Sequence, residues 1–165
     1  MITNVSNLDK FTKNAHDLAK LVQDLLGMAY DRGLSKVAPG VVQVGVLLIT
    51  NMDNVNLIDN FAKHSHPYWE MIKKKEEDYF DKHLQTVFGQ MPLDIVASVR
   101  DLYFAMDGDK RLLNDDDRND LWDFFQSLVK ICIKYIHEQR KINLRFHEEI
   151  DIKKYAEMFE ITLPS

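Results

Sequence analysis

The sequence is poor in several of the features that would announce a function. Cys132 is its one cysteine, so no internal disulfide can form and a small secreted, disulfide-stapled scaffold is excluded. Basic charge is not in excess. With 21 Lys and Arg against 26 Asp and Glu the formal net charge is −5, which leaves no electrostatic footprint for nucleic acid. No long apolar run occurs either: the longest, Val41 to Ile49, is interrupted by Gln43 and is too short to span a bilayer. Met1-Ile2-Thr3-Asn4 has none of the basic and apolar pattern of a signal peptide. There is no Gly-x-Ser-x-Gly elbow and no glycine-rich phosphate loop. The four prolines and six glycines fall mainly between periodic stretches, and there is no repeat or low-complexity linker.

What is present is helical periodicity. The 165 residues, 45% hydrophobic and 28% charged, suit one domain that buries roughly 70% of its unfolded surface. Leu8, Phe11, Ala15, Leu18, Val22, Leu25 and Ala29 alternate steps of three and four, one apolar stripe on a helix. Ser6 and Asp9 predict its start near Asn7, and Gly33 its stop. Pro39 to Lys63 reads as one long helix, with Pro39 in its first turn and the pattern continuing through Met52, Val55, Ile58 and Phe61. The β-branched residues of 41–50 leave a strand as the alternative there.

A third helix is expected from Pro67, with Tyr68, Met71, Ile72, Tyr79, Phe80, Leu84, Val87 and Phe88 inward and a stop at Gly89 and Pro92. A shorter one comes next, carrying Ile95, Val96, Val99, Leu102, Tyr103 and Met106 and ending at Asp107-Gly108. Asn114 then caps a helix over about 115–141 whose apolar residues leave only a thin polar strip, so other helices must surround it. A last short helix covers about 152–159. The predicted fold is an all-α, single-domain bundle of about six helices around that buried central helix. A buried central helix makes it similar in outline to groove-forming apoptosis regulators. Their Asn-Trp-Gly-Arg signature is absent, so no function is carried across.

Two readings compete for the function. The first is a non-enzymatic, intracellular (cytoplasmic or nuclear) interaction or assembly protein. It needs no cofactor, its partner is a protein or a second copy, and neither nucleic acid nor membrane is expected to bind. Trp69 and Phe104 fall beside the main stripes and are candidate anchors if exposed. Lys130 and Lys134, on a strip with His137 and Lys141, read first as solvated face and second as a binding patch that meets phosphates or an acidic partner.

The second reading is a magnesium-dependent enzyme acting on a phosphoanhydride. Asp116, Asp117, Asp120 and Asp123 keep helical spacing, and Glu77 and Asp81 on the third helix would supply the facing carboxylates. The simpler explanation is that these aspartates cap a helix N-terminus and oppose its dipole, as His137, Arg140 and Lys141 match its C-terminus. A calcium loop starting at Asp107 fails, because Arg118 stands where the bidentate glutamate belongs. His64 and His66 flank a helix junction and read as end groups rather than metal ligands. Cys132 is expected to be an inert core thiol.

Overall fold

The computed structural model describes residues 6–84 and 93–164, with the side chains of 93–95 left aside. The expectations for Val87, Phe88, Gly89, Pro92 and Ile95 lie outside the described residues. Within them the protein is an all-α bundle. Its helices are α1 (Asn7–Asp31), α2 (Pro39–Thr50), α3 (Asn54–Ser65), α4 (Trp69–Lys73), α5 (Leu93–Phe104), α6 (Asp115–Gln139) and α7 (Ile152–Met158). A 3-10 turn, His66–Tyr68, joins α3 to α4, and a π-helical turn, Tyr79–His83, comes after α4.

The central helix is α6, and ten of its side chains from Leu121 to Ile136 are buried. It packs most extensively on α1, and α3, α4 and α7 also touch it. Asn7 donates to Glu138 and Asn14 to Ser127, each at 2.7 Å, so α1 runs antiparallel to α6. Ser6 Oγ accepts the Asp9 N–H and opens α1 where the spacing placed it. At the other end Leu34 N–H reaches Ala29 O and Gly33 N–H reaches Tyr30 O. With Gly33 at φ +72°, that is a Schellman closure.

Three sequence expectations are corrected. Pro39 to Lys63 is helical but is two helices, not one. Asp53 accepts the Asn56 N–H and starts α3, and the path turns by 102° between Pro39–Thr50 and the run Asn54–Lys73. The third helix is also broken. Lys75 takes φ +54° after α4, with Glu76 N–H on Met71 O and Lys75 N–H on Ile72 O, the same closure without a glycine. The fourth ends at Phe104 rather than Asp107-Gly108. Met106–Asp107 and Lys110–Arg111 then pair as a two-stranded hairpin about Gly108, whose φ of +71° suits the first central position of a tight turn.

Candidate interaction surface

From Val37 to Met52 the chain has no charged residue. Ala38 precedes α2 without a side-chain cap, and Pro39 supplies the preset φ of a first helical turn. The resulting helix is apolar nearly all round, yet it is not surrounded. It packs on α1 and more lightly on α5, burying Val42 and Gly45 and half-burying Val46, Ile49 and Thr50. On its other side Val41, Val44, Leu47 and Leu48 remain 45–53% exposed. The steps between Val41, Val44 and Leu48 are three and four, so these side chains form one outward stripe. Gly40 lies beside them, and a Cβ there would meet nothing within 4 Å.

More apolar surface lies along the neighbouring segments. Tyr30 and Leu34 are exposed at the closing turn of α1, and Val55 near the start of α3. Arg32 pairs with Asp107 at 3.0 Å and holds the hairpin, with its exposed Met106, against the end of α1.

Ile142 and Leu144 form a separate protrusion, 86% and 85% exposed. Their loop is stiffly held. Arg140 donates to the carbonyls of Phe146, His147 and Ile150 at 2.6–2.9 Å, and the His147 ring lies 3.1 Å from Asp59 on α3. From spacing alone Arg140 is only a C-terminal cation. Its three carbonyl bonds close the loop beyond the helix and have no spacing signature.

Trp69 is fully buried and is a core residue, not a partner anchor. Its indole N–H donates to Ser65 Oγ at 2.8 Å, and its ring meets Tyr155 edge-on at 5.1 Å. Phe104 is half-buried against Tyr103, with the Arg111 guanidinium 5.7 Å from its ring. Lys130 and Lys134 are exposed on the outer strip of α6. His66 turns its ring back to the Ala62 and Lys63 carbonyls and so closes α3, and Ser65 bonds the Phe61 carbonyl instead of capping the next turn.

Asn114 and Asp117 make a reciprocal capping box, with Asp117 N–H on Asn114 Oδ1 at 2.8 Å and Asn114 N–H on Asp117 Oδ2 at 3.2 Å. Asp115 pairs with Arg118, and Asp116, Asp120 and Asp123 point to solvent. Glu77 belongs to a different contact. Arg111 donates to it at 2.9 and 3.4 Å, Tyr103 adds a 3.4 Å bond, and the Arg111 hydrogen bond holds its carboxyl below the ordinary range. Asp81 is exposed. Among the described residues no three His, Cys, Asp or Glu side chains gather as a metal site.

A shallow depression of about 710 Å³ lies at the end of the bundle, between His137, Arg140, Glu149, Ile152 and Leu163. Several of its polar groups are engaged: the His137 ring contacts the Pro164 carbonyl at 2.6 Å, and Glu149 contacts His147 at 3.4 Å. Cys132 is buried, and desolvation, with a smaller effect of the nearby Asp59 charge, pushes its thiol well above the ordinary value. Among the described residues no single helix is long and apolar enough to cross a membrane. Comparison with protein-family models, with curated proteins and with solved structures returns no match for this chain.

Proposed function

We propose that this is a non-enzymatic, intracellular helical protein that works by binding protein, through the outer face of α2. One observation carries the reading: a helix without charge over 37–52 packs, among the described residues, on one side and leaves Val41, Val44, Leu47 and Leu48 half-exposed. Burying an aliphatic side chain fully is worth about 1.5–3 kcal/mol, and each of these four has gained only part of that. A contiguous apolar stripe left open in this way is the usual mark of an interaction site. An uncharged central surface is also what the middle of a protein interface has.

Part of the polar clusters is taken up by structure, which supports the same reading, while Asp81, Asp116, Asp120 and Asp123 stay exposed. Asp117 caps α6, Asp115 holds Arg118, and Glu77 holds Arg111. Affinity capture from the native source compares the wild-type chain with a Val44→Lys, Leu48→Lys double variant. Loss of a stoichiometric protein with retained helical content is expected. An unchanged set of captured proteins overturns the reading.

A further inference from the structure

We infer that the occupant of the α2 face is α2 of a second copy, packed antiparallel across a two-fold axis near Val44. The inference rests on the interaction reading above and names its partner.

Three observations carry it. The outward stripe complements itself. When two α2 helices run antiparallel with Val44 at the axis, Val41 of one copy meets Leu47 and Leu48 of the other. Gly40, whose outer side is open, then leaves room for the opposing Leu48. An isologous interface requires this kind of self-match.

The charges at the two ends also fit. Lys36 lies just before the uncharged stretch and Asp53 just after it, both exposed. Lys36 has no ion-pair partner among the described residues. Antiparallel packing brings Lys36 of each copy to Asp53 of the other. Parallel packing would instead set lysine against lysine and aspartate against aspartate. The helix dipoles favour the same sense.

The third observation weighs against a lipid surface. A helix lying on a membrane presents Lys and Arg along its polar edge. Among the described flanking residues Lys36 alone is an unpaired cation, Arg32 is already paired with Asp107, and Asp31 and Asp53 are acidic.

The test is sedimentation velocity on the purified full chain over a concentration series, with circular dichroism to confirm folding. The wild type is expected to dimerise reversibly. Val44→Glu places two like charges together at the axis and is expected to weaken association by at least about a hundredfold. Lys36→Glu, away from the packing, is expected to weaken it by about two- to tenfold.

Oxidative cross-linking reads the orientation independently of affinity. Val44→Cys is expected to link to itself, whereas Val41→Cys links to Leu48→Cys in a mixture and poorly to itself. Cys132 is buried and does not interfere.

A wild type that stays monomeric across the series overturns the inference, as does Val41→Cys linking to itself as readily as Val44→Cys. A monomer whose Val44→Glu variant loses a protein captured from the source overturns the second copy but leaves the interaction reading standing. A monomer that floats with phosphatidylserine vesicles through the same face overturns both, and so does a monomer in which Val44→Glu changes nothing.

Discussion

The indole N–H of Trp122 donates to the hydroxyl of Tyr103 at 3.1 Å, inside an aromatic cluster with Tyr79, Phe80 and Phe125. The Tyr103 ring stacks on Phe80 at 4.3 Å with the planes 7° apart, and Trp122 meets Phe80 edge-on at 4.9 Å. The hydroxyl continues outward to Glu77, and Glu77 to Arg111. One short polar chain therefore runs from the buried face of α6 to the hairpin, tying α6, α5 and the hairpin to one another.

Two tyrosines in that cluster should respond oppositely to loss of the hydroxyl. Tyr103→Phe removes the acceptor of a buried indole N–H and is expected to cost about 1–3 kcal/mol. Tyr79 is fully buried with no partner for its hydroxyl among the described residues, and burial raises its pKa. Tyr79→Phe is expected to be neutral or stabilising, because it removes an unsatisfied polar atom without changing the ring. Urea unfolding of both variants measures the difference. Equal destabilisation would contradict the hydrogen-bond assignment.

Acid stability should depend on Glu77. Its carboxyl is held below the usual 4.5, first by the Arg111 hydrogen bond, with Tyr103 adding to it. A depressed folded-state pKa means the unfolded chain binds protons more readily. The pair's contribution is thus fully present above the unfolded value and is lost as pH falls through the folded one. The glutamate is about half-exposed, so solvent screening keeps the effect small. Asp17, Glu70 and Glu149 are shifted the same way. Glu77→Gln is therefore expected to flatten the acid limb of the urea midpoint against pH, between neutrality and about pH 3, without abolishing it. An identical slope in the variant would contradict the pairing.

The acidic start of α6 should behave as a cap. Asn114→Ala is expected to cost about 0.5–2 kcal/mol by removing the acceptor for Asp117 N–H. Asp120→Asn, on an exposed residue without a bond to a helix end, should change stability by less than about 0.5 kcal/mol. Thermal melts with magnesium and with chelator should superimpose. A magnesium-dependent rise in melting temperature that Asp117→Asn and Asp120→Asn abolish would return these residues to a metal site.

Cys132 should be silent in the native state. Its thiol is buried in α6 and disfavoured as thiolate. A thiol reagent is expected to react only on unfolding, in parallel with loss of helical signal. Rapid reaction of the folded protein would contradict the burial.

The bundle is legible in the sequence where apolar spacing and end signals agree. α1 and α6 start at Ser6 and Asn114 as their patterns require, and the long apolar set of α6 identifies it as the helix the others enclose. The break after Thr50 is hidden because Met52, Val55, Ile58 and Phe61 continue the period across it, while the Asp53 cap acts locally against that pattern. The burial of Trp69 is hidden for another reason. It shares the buried face of its short helix with Ile72, but the apolar pattern from Pro67 can be drawn through Tyr68 and Met71 instead, and a residue more than eighty positions later, Tyr155, covers it. The Val41–Ile49 run is plain in the sequence, but its period does not say that one side stays uncovered. That depends on where α1 and α5 lie, and on what else binds.

The most direct test of the α2 assignment is site-specific photo-cross-linking in the native source, with a photoreactive amino acid in place of Leu47 and, separately, of Asp116. Both positions are exposed, one on the apolar stripe and one at the acidic end of α6. A protein adduct of defined mass at position 47, absent at 116, is the expected result. No adduct at 47 above that at 116 would contradict the claim that protein covers this face.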